Sequence, residues 1–137
     1  MDHTGEATTN TPTIKGYIST KEGWKIAGPY YSQSGSGTLY TTLDDLLKWD
    51  AALNDEKVLT QDSLDKMFTS YSYKNYGYGW MIDNEQTPAV SFHNGSGTGY
   101  STGISRNLGG GLTIILLGNQ AGRDTITFMK ELRNRIE

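Results

Sequence analysis

The sequence contains no cysteine, only 3 prolines, no large excess of either charge and no long hydrophobic run. Without cysteine there is no disulfide framework, no Cys-ligated zinc or iron–sulfur cluster and no thiol nucleophile. The longest apolar run, Leu112 to Leu117, is interrupted by Thr113 and is far shorter than the roughly 18 residues of a membrane-spanning helix. The net charge of −3 leaves no basic footprint for nucleic acid, and the polar N-terminus does not resemble a signal peptide.

Glycine and tyrosine are abundant instead. The 17 glycines indicate many tight turns and close backbone approaches, and the 9 tyrosines argue against disorder. A chain of 137 residues is typical of one domain and can bury a core without disulfides. We therefore predict a single domain over residues 1–137.

The first half of the chain predicts a small hairpin at Ile14–Ile26 and then two helices. Thr41 or Thr42 can cap the first helix, because each has a carboxylate three residues on, and the helix then runs to about Asn54. A second, shorter helix begins near Thr60. One face of the first helix is predicted to carry four leucines: Leu43, Leu46, Leu47 and Leu53.

After about residue 75 the pattern becomes that of strands, and a helix over Asp124–Ile136 closes the chain. The asparagine and glycines of Asn107–Gly110 predict a hairpin turn. This order predicts an α+β fold: an antiparallel sheet of about three strands, a C-terminal helix packed on it and two short helices. The candidate strands are Tyr76–Asp83, Val90–His93, Tyr100–Arg106 and Leu112–Asn119.

Two packing predictions follow from these strands. Alternation places Trp80 and Tyr78 on one face of a central strand, with Leu116 and Met129 in the same core. The strand that carries His93 is predicted to adjoin the strand 112–119. The outer edge of that last strand then needs a partner, from the hairpin at 14–26 or from a second copy of the chain.

Three short motifs suggest a nucleophile or base, but each has a simpler interpretation. Ser63-Leu64-Asp65-Lys66 fits Ser-x-x-Lys, yet Lys66 lies beside Asp65 with nothing apolar to depress its pKa, which favours a surface helix turn. Tyr73-Lys74-Asn75 fits Tyr-x-Asn but reads as a loop. Gly99 to Gly103 fits Gly-x-Ser-x-Gly, but a nucleophile elbow needs a following helix, and here the strand continues.

The segment His93 to Gly99 combines a histidine and an asparagine with three glycines. Backbone without Cβ atoms lets a substrate lie along a strand, and exposed N–H groups can act as oxyanion donors. A glycine-rich turn with an incidental histidine explains the same residues, and composition alone leaves both interpretations open. His3 and His93 are the only histidines, and neither has a ligand spacing, so no metal or other cofactor is predicted.

Taken in order, these pieces resemble the C-terminal portion of the serine β-lactamase-like family, which includes class C β-lactamases, penicillin-binding proteins, D-alanyl-D-alanine carboxypeptidases and related esterases. The resemblance covers about residues 14–120. It rests on five segments in sequence: Ser34–Trp49, Leu59–Met67, Tyr76–Trp80, His93–Ser101 and Ile114–Asn119.

The resemblance implies a partial β-lactamase-like fold in which His93-Asn94-Gly95 is the family's third motif, Lys-Thr-Gly or His-x-Gly. His93 then assists proton handling or holds a substrate carboxylate, Asn94 hydrogen-bonds substrate, and the N–H of Ser96 is an oxyanion donor. Gly95 and Gly97 complete the implied substrate-binding surface. The implied substrates are a β-lactam, a D-Ala-D-Ala peptide or an ester, and the family is usually extracytoplasmic.

The family's nucleophilic Ser-x-x-Lys and its Tyr-x-Asn lie upstream of the matched region. The chain alone is therefore expected to be inactive, as part of a hydrolase that supplies one active-site wall. Two other readings stay open: a peptide- or peptidoglycan-binding module that uses the Gly-rich strand edge, and a structural fragment without a ligand. An open sheet edge also implies self-association or an N-terminal partner.

Overall fold

A computed structural model of the chain describes residues 1–8, 11, 14–28 and 37–136. The α+β class is confirmed. Most of the Ser34–Trp49 segment is described, but Ser34, Gly35 and Ser36 lie outside the described residues. The elements in chain order are β1 (Gly5–Glu6), β2 (Tyr17–Thr20), β3 (Gly23–Ile26), β4 (Leu39–Tyr40), α1 (Leu43–Asn54), α2 (Gln61–Met67), β5 (Met81–Asp83), β6 (Val90–Gly97), β7 (Tyr100–Asn107), β8 (Thr113–Gly118) and α3 (Thr125–Ile136).

The central sheet has the strand order β5-β6-β7-β8, with every neighbouring pair antiparallel. Of the strand predicted over Tyr76–Asp83, only the last three residues form a strand, β5, because residues 77–80 form a turn. In this turn the Gly77 N–H donates to the Trp80 carbonyl at 2.8 Å, and Gly79 has a φ of +80°. The prediction that the His93 strand adjoins the last strand is wrong. The Asn107–Gly110 turn joins β7 to β8, so β7 lies between β8 and the strand of His93.

One face of the sheet packs against α1 and α2. Its core consists of Leu53, Leu64, Trp80 and Ile82, and Trp80 is 8% exposed. A threonine caps the N-terminus of each helix, as the sequence predicts: the Thr42 side chain accepts from the N–H of residue 45, and the Thr60 side chain accepts from that of residue 63. The sheet face toward these helices is the one on which His93 lies.

The opposite face packs against α3, where Met129 is buried over Gly103. A Cβ at Gly103 would lie 2.8 Å from the Met129 terminal carbon, so glycine makes room for the helix. The shared core predicted for Trp80, Tyr78 and Met129 is therefore wrong. Trp80 and Met129 lie on opposite faces of the sheet, and Tyr78 is 63% exposed in the turn before β5.

The leucine face predicted for α1 is also wrong in part. Leu53 is buried, but Leu43 and Leu47 are at least half exposed. The buried side of the helix instead includes Asp50, whose carboxylate lies 3.0 Å from Nε of Arg106 on β7. A charged pair thus occupies a position that hydrophobic periodicity assigns to an apolar side chain.

The N-terminal segment is tied to the start of α1 through the buried carboxylate of Asp45. This carboxylate accepts the His3 N–H at 2.8 Å and the Thr4 hydroxyl at 2.9 Å, and it pairs with Lys48 at 3.2 Å. Burial raises the pKa of Asp45, but these hydrogen bonds and the lysine charge outweigh it and lower the pKa to about 2. The Asp45 carboxylate that holds the N-terminal segment is therefore ionised at neutral pH.

The β2–β3 hairpin folds back onto the end of β8. The Tyr17 N–H donates to the Asn119 carbonyl at 2.9 Å, and the Ala121 N–H donates to the Tyr17 carbonyl at 2.9 Å. By antiparallel alternation, the amides of Thr113, Ile115 and Leu117 point away from β7; we call them the outer-edge amides of β8. Among the described strands, none pairs with them, so the hairpin covers only the end of this edge.

None of the helices in the described part of the chain has the length and apolar composition to cross a membrane.

Candidate active site

The edge of β6 is open over its second half. β5 pairs only with residues 90–92, and the backbone groups of 90 and 92 face it. Because these groups alternate in direction along a strand, those of Asn94 and Ser96 point to the same side, beyond the end of β5. Ser96 lies opposite Ser101 of β7, and within the described ranges no backbone group bonds to its outward-facing side. The open edge thus presents the N–H predicted as an oxyanion donor.

Glycines keep the surface next to this edge flat. Gly95 lies opposite Thr102 on β7, and a Cβ there would come within 2.5 Å of the Thr102 hydroxyl oxygen. Side chains alternate along a strand, so positions 93, 95 and 97 share the face toward α1 and α2. The side chains of Asn94 and Ser96 lie on the other face and are exposed. The five predicted site residues therefore form one continuous strip of β6. Its outward backbone donors lie at the sheet edge, and the ring of His93 lies on the face toward α1 and α2.

Both ring nitrogens of His93 have hydrogen-bond partners. Nδ1 lies 2.8 Å from the Asn94 carbonyl oxygen, and Nε2 lies 2.7 Å from the Tyr76 hydroxyl. A carbonyl oxygen only accepts, so in the neutral ring Nδ1 carries the proton and Nε2 accepts from Tyr76. The two rings meet edge to face, with centroids 5.9 Å apart. Sequence reasoning missed Tyr76, which it assigned to a strand.

Tyr76 is placed by a turn anchored on the end of α2. The Tyr78 N–H donates to the Met67 carbonyl at 3.0 Å, and the Ile82 N–H donates to the Asn75 carbonyl at 2.7 Å. A Cβ at Gly77 would lie only 2.3 Å from the Met67 carbonyl oxygen, so the turn can approach the helix only with glycine there. Gly77 is a trace of this turn in the sequence, but a glycine at that position does not by itself distinguish a turn from a strand.

The N-terminal hairpin holds the far end of β6. The Tyr17 N–H also approaches the Gly99 carbonyl, at 3.2 Å, and Gly99 has a φ of +88°. A Cβ at Gly99 would lie 2.8 Å from the Gly16 Cα, so the two backbones are in direct contact. The glycine-rich segment is thus partly a turn, as its second interpretation holds, but the turn begins only after Gly97.

The short motifs that were set aside have structural partners. The Ser63 hydroxyl lies 3.1 Å from that of Thr60 in the helix cap, while Lys66 pairs with Asp62 at 2.7 Å on the surface. Tyr73 is 92% exposed. Ser101 is buried within β7, and its hydroxyl accepts the N–H of residue 123 at 3.1 Å. These geometries agree with the interpretation of all three motifs as structural.

Two clefts in the described part of the chain lie away from His93. One, of about 610 Å³, lies between α1, α2 and the Leu108–Gly110 turn, and a smaller one of about 180 Å³ lies beside α3. The β6 edge, rather than either cleft, is the candidate site, because backbone donors and a histidine lie close together there. Such an edge binds an extended ligand along its length rather than enclosing it.

Comparisons with known proteins find a matching family model and similar curated proteins. The family model described as Beta-lactamase matches residues 2–134. In Bacillus subtilis (strain 168), penicillin-binding protein 4* is 29% identical over 92 residues, 63% of this chain and 20% of its own length. The putative penicillin-binding protein PbpX of the same organism is 32% identical over 102 residues, 72% of this chain and 25% of its own length.

A solved structure shares the fold. The penicillin-binding protein from Bacillus halodurans superposes with a TM-score of 0.75 at 21% identity, over 94% of this chain and 44% of that one. The chain thus spans about a fifth to a quarter of the curated relatives that it matches, and less than half of the solved structure.

Proposed function

Because the chain belongs to the β-lactamase family, and to its C-terminal portion, we propose that it forms the sheet-side wall of an acyl-transfer site in a penicillin-binding-protein-like serine hydrolase. The reaction proposed for the whole protein is attack of a serine on an amide or ester, followed by hydrolysis of the acyl-enzyme. The observation that carries the proposal is the open edge of β6 beside His93.

In this proposal the substrate lies antiparallel to the second half of β6. The Ser96 N–H donates to the carbonyl under attack and stabilises the oxyanion as charge develops on it. Asn94 hydrogen-bonds the flanking part of the substrate through its exposed side chain. Gly95 and Gly97 keep the sheet face beside this edge flat, because neither position carries a side chain that would rise next to the substrate.

The proposed substrates are β-lactams, D-Ala-D-Ala peptides or esters of similar shape. All of them present a carbonyl beside an anionic or polar group, which suits a strand edge with adjacent donors. His93 is the basic residue at the start of the strip, positioned to orient the substrate's polar group or carboxylate.

The nucleophile is proposed to come from the part of the protein outside the matched region, so this chain alone should not turn over substrate. Incubation with a chromogenic β-lactam and with a p-nitrophenyl ester should give the rate of buffer. The matched control is Ser63→Ala, which removes the hydroxyl of the only Ser-x-x-Lys in the chain. Turnover above buffer that disappears in this variant would show that Ser63 is a nucleophile after all.

A binding measurement tests the strand edge itself. Titration of the ¹⁵N-labelled chain with an N-acylated D-Ala-D-Ala peptide should shift the amide signals of Asn94 and Ser96 first. Ser96→Pro removes the outward N–H without touching the ladder to β7, and it should abolish these shifts. Ser96→Ala keeps the N–H and should retain them. Equal binding by both variants, or shifts confined to other strands, would contradict the proposal.

A peptide- or peptidoglycan-binding module is the second candidate, and the same open edge favours it. Strand addition uses the backbone donors and acceptors of such an edge and needs no nucleophile. The two functions differ in the longer source protein: acyl transfer predicts a covalent adduct with a β-lactam there, whereas a binding module gives reversible binding only. Absence of any binding would leave the chain as a structural fragment.

A further inference from the structure

We propose that Tyr76 is a positioning residue for His93: its hydroxyl holds the imidazole in the Nδ1–H tautomer and fixes the ring above the open edge of β6. The role in catalysis rests on the proposed function, but the tautomer is a property of the chain by itself. The proposal stands on two hydrogen bonds, at 2.7 Å and 2.8 Å, that together occupy both ring nitrogens.

The direction of each hydrogen bond follows from the atoms involved. The Asn94 carbonyl oxygen has no proton to give, so Nδ1 must donate to it. Nε2 of the neutral ring then has only a lone pair, and the Tyr76 hydroxyl supplies the proton. An exposed neutral imidazole prefers the opposite tautomer, with the proton on Nε2. The hydrogen bonds to Tyr76 and to the Asn94 carbonyl therefore hold His93 in a tautomer that is not the preferred one of a free imidazole.

These two hydrogen bonds bear on whether His93 acts as a base or holds a polar or anionic group of the substrate. A base needs a free lone pair at Nε2, and here that lone pair is engaged by Tyr76. The imidazolium form keeps the pair intact, because the tyrosine hydroxyl can rotate and accept from Nε2–H. The geometry thus favours His93 as an oriented anchor for a polar or anionic substrate group over His93 as an independent base.

The backbone around Tyr76 fixes the direction of its side chain, so its contact with His93 is part of the fold rather than a chance approach of two surface side chains. Tyr76 is half-buried, and its carbonyl accepts the Tyr71 N–H at 3.1 Å. The following glycine lies against the end of α2, which fixes the direction in which the ring leaves the turn. Tyr78, two residues on, is exposed and stacks on Tyr71 instead, with ring centroids 5.2 Å apart.

Nitrogen NMR of the histidine rings tests the proposal directly. At a pH where the ring is neutral, His93 should show widely separated ¹⁵N shifts, with Nδ1 as the protonated nitrogen. In Tyr76→Phe this single-tautomer pattern should be lost and Nε2–H should become populated. Tyr78→Phe removes a hydroxyl from an exposed ring and should leave His93 unchanged, and the signals of His3 serve as an internal reference.

A wild-type ring that is already Nε2–H or mixed would overturn the proposal, as would a Tyr76→Phe spectrum identical to the wild type. If Tyr76→Phe does not fold, the wild-type shifts and a scalar coupling across the hydrogen bond from the Tyr76 hydroxyl proton to Nε2 decide alone. The outcome is separable from the proposed function: failure of the peptide titration with an intact tautomer would refute the substrate site but not the positioning role.

Discussion

Replacing Asp50 by alanine should destabilise the chain strongly, because it leaves a buried arginine without its ionic partner. Arg106 is 3% exposed, and its Nε lies 3.0 Å from the Asp50 carboxylate. Among the described residues, the other polar side chain that it contacts is the neutral oxygen of Asn54, and its guanidinium lies 5.3 Å from the centre of the Phe68 ring. The Thr113 hydroxyl, which lies 3.1 Å from Asp50, would lose its partner as well.

The magnitude follows from burial rather than from the attraction between the charges. Removing one member of a buried pair costs about 3–5 kcal/mol, mainly because the other charge remains desolvated. The Asp50 side chain is 14% exposed, so some water can reach Arg106 once it is gone, and we expect about 3 kcal/mol. That is a large fraction of the roughly 5–15 kcal/mol by which a domain is stable.

Urea unfolding measures this loss. With a slope of about 1–3 kcal/mol per molar urea, a loss of about 3 kcal/mol lowers the midpoint by about 1–3 M. The matched control is Asp55→Ala, which breaks an exposed pair with Lys57 of 2.7 Å and should cost no more than about 1 kcal/mol. The double variant Asp50→Leu with Arg106→Met should recover most of the loss, because it removes both charges. A loss below about 1 kcal/mol in Asp50→Ala would refute the reasoning.

Three further predictions concern the core, the N-terminal segment and the sheet edge. Trp80→Ala should lower the free energy of unfolding by about 3–5 kcal/mol, measured with urea, and Tyr78→Ala by about 0.5 kcal/mol or less. The opposite order of the two losses would contradict the assignment of Trp80 to the core and Tyr78 to the surface. The pKa of Asp45 is about 2 in the folded chain against 3.8 for the free group, so its contribution to stability is complete above pH ~4 and is lost as pH falls toward 2. When stability is measured against pH, Asp45→Asn should lack this part of the decline. In a monomer, the outer-edge amides of β8 should exchange with solvent faster than the amides that alternate with them, and uniform protection would indicate a partner for this edge.

The sequence predicts the elements well because their signals are local. Threonine caps, the Asn107–Gly110 turn and apolar runs each act over a few residues, and the structure places α1, α3, β7 and β8 within two residues of their predicted bounds. It predicts less well which elements meet. A strand's pattern does not say on which face of the sheet a given core lies, and so Trp80 and Met129 were assigned together although the sheet separates them.

The site shows the same division. The strip from His93 to Gly97 is predicted from its resemblance to the family's third motif, since composition alone leaves it open, and the structure gathers these residues on one strand. Tyr76 could not be found in this way, because its contact with His93 spans 17 residues and depends on a turn. The Tyr-Gly-Tyr-Gly-Trp segment alternates like a strand, and only the close approach of Gly77 to α2 reveals that it bends.

That bend connects the open edge with the histidine. If residues 76–80 had continued β5 as an extended strand, they would have run alongside the second half of β6 and covered the backbone of Asn94 and Ser96. The turn over residues 77–80 instead ends the pairing at Phe92 and leaves Tyr76 facing His93. Two glycines, one that admits the close contact with α2 and one with positive φ, thus expose the donors of the proposed site and orient its histidine at the same time.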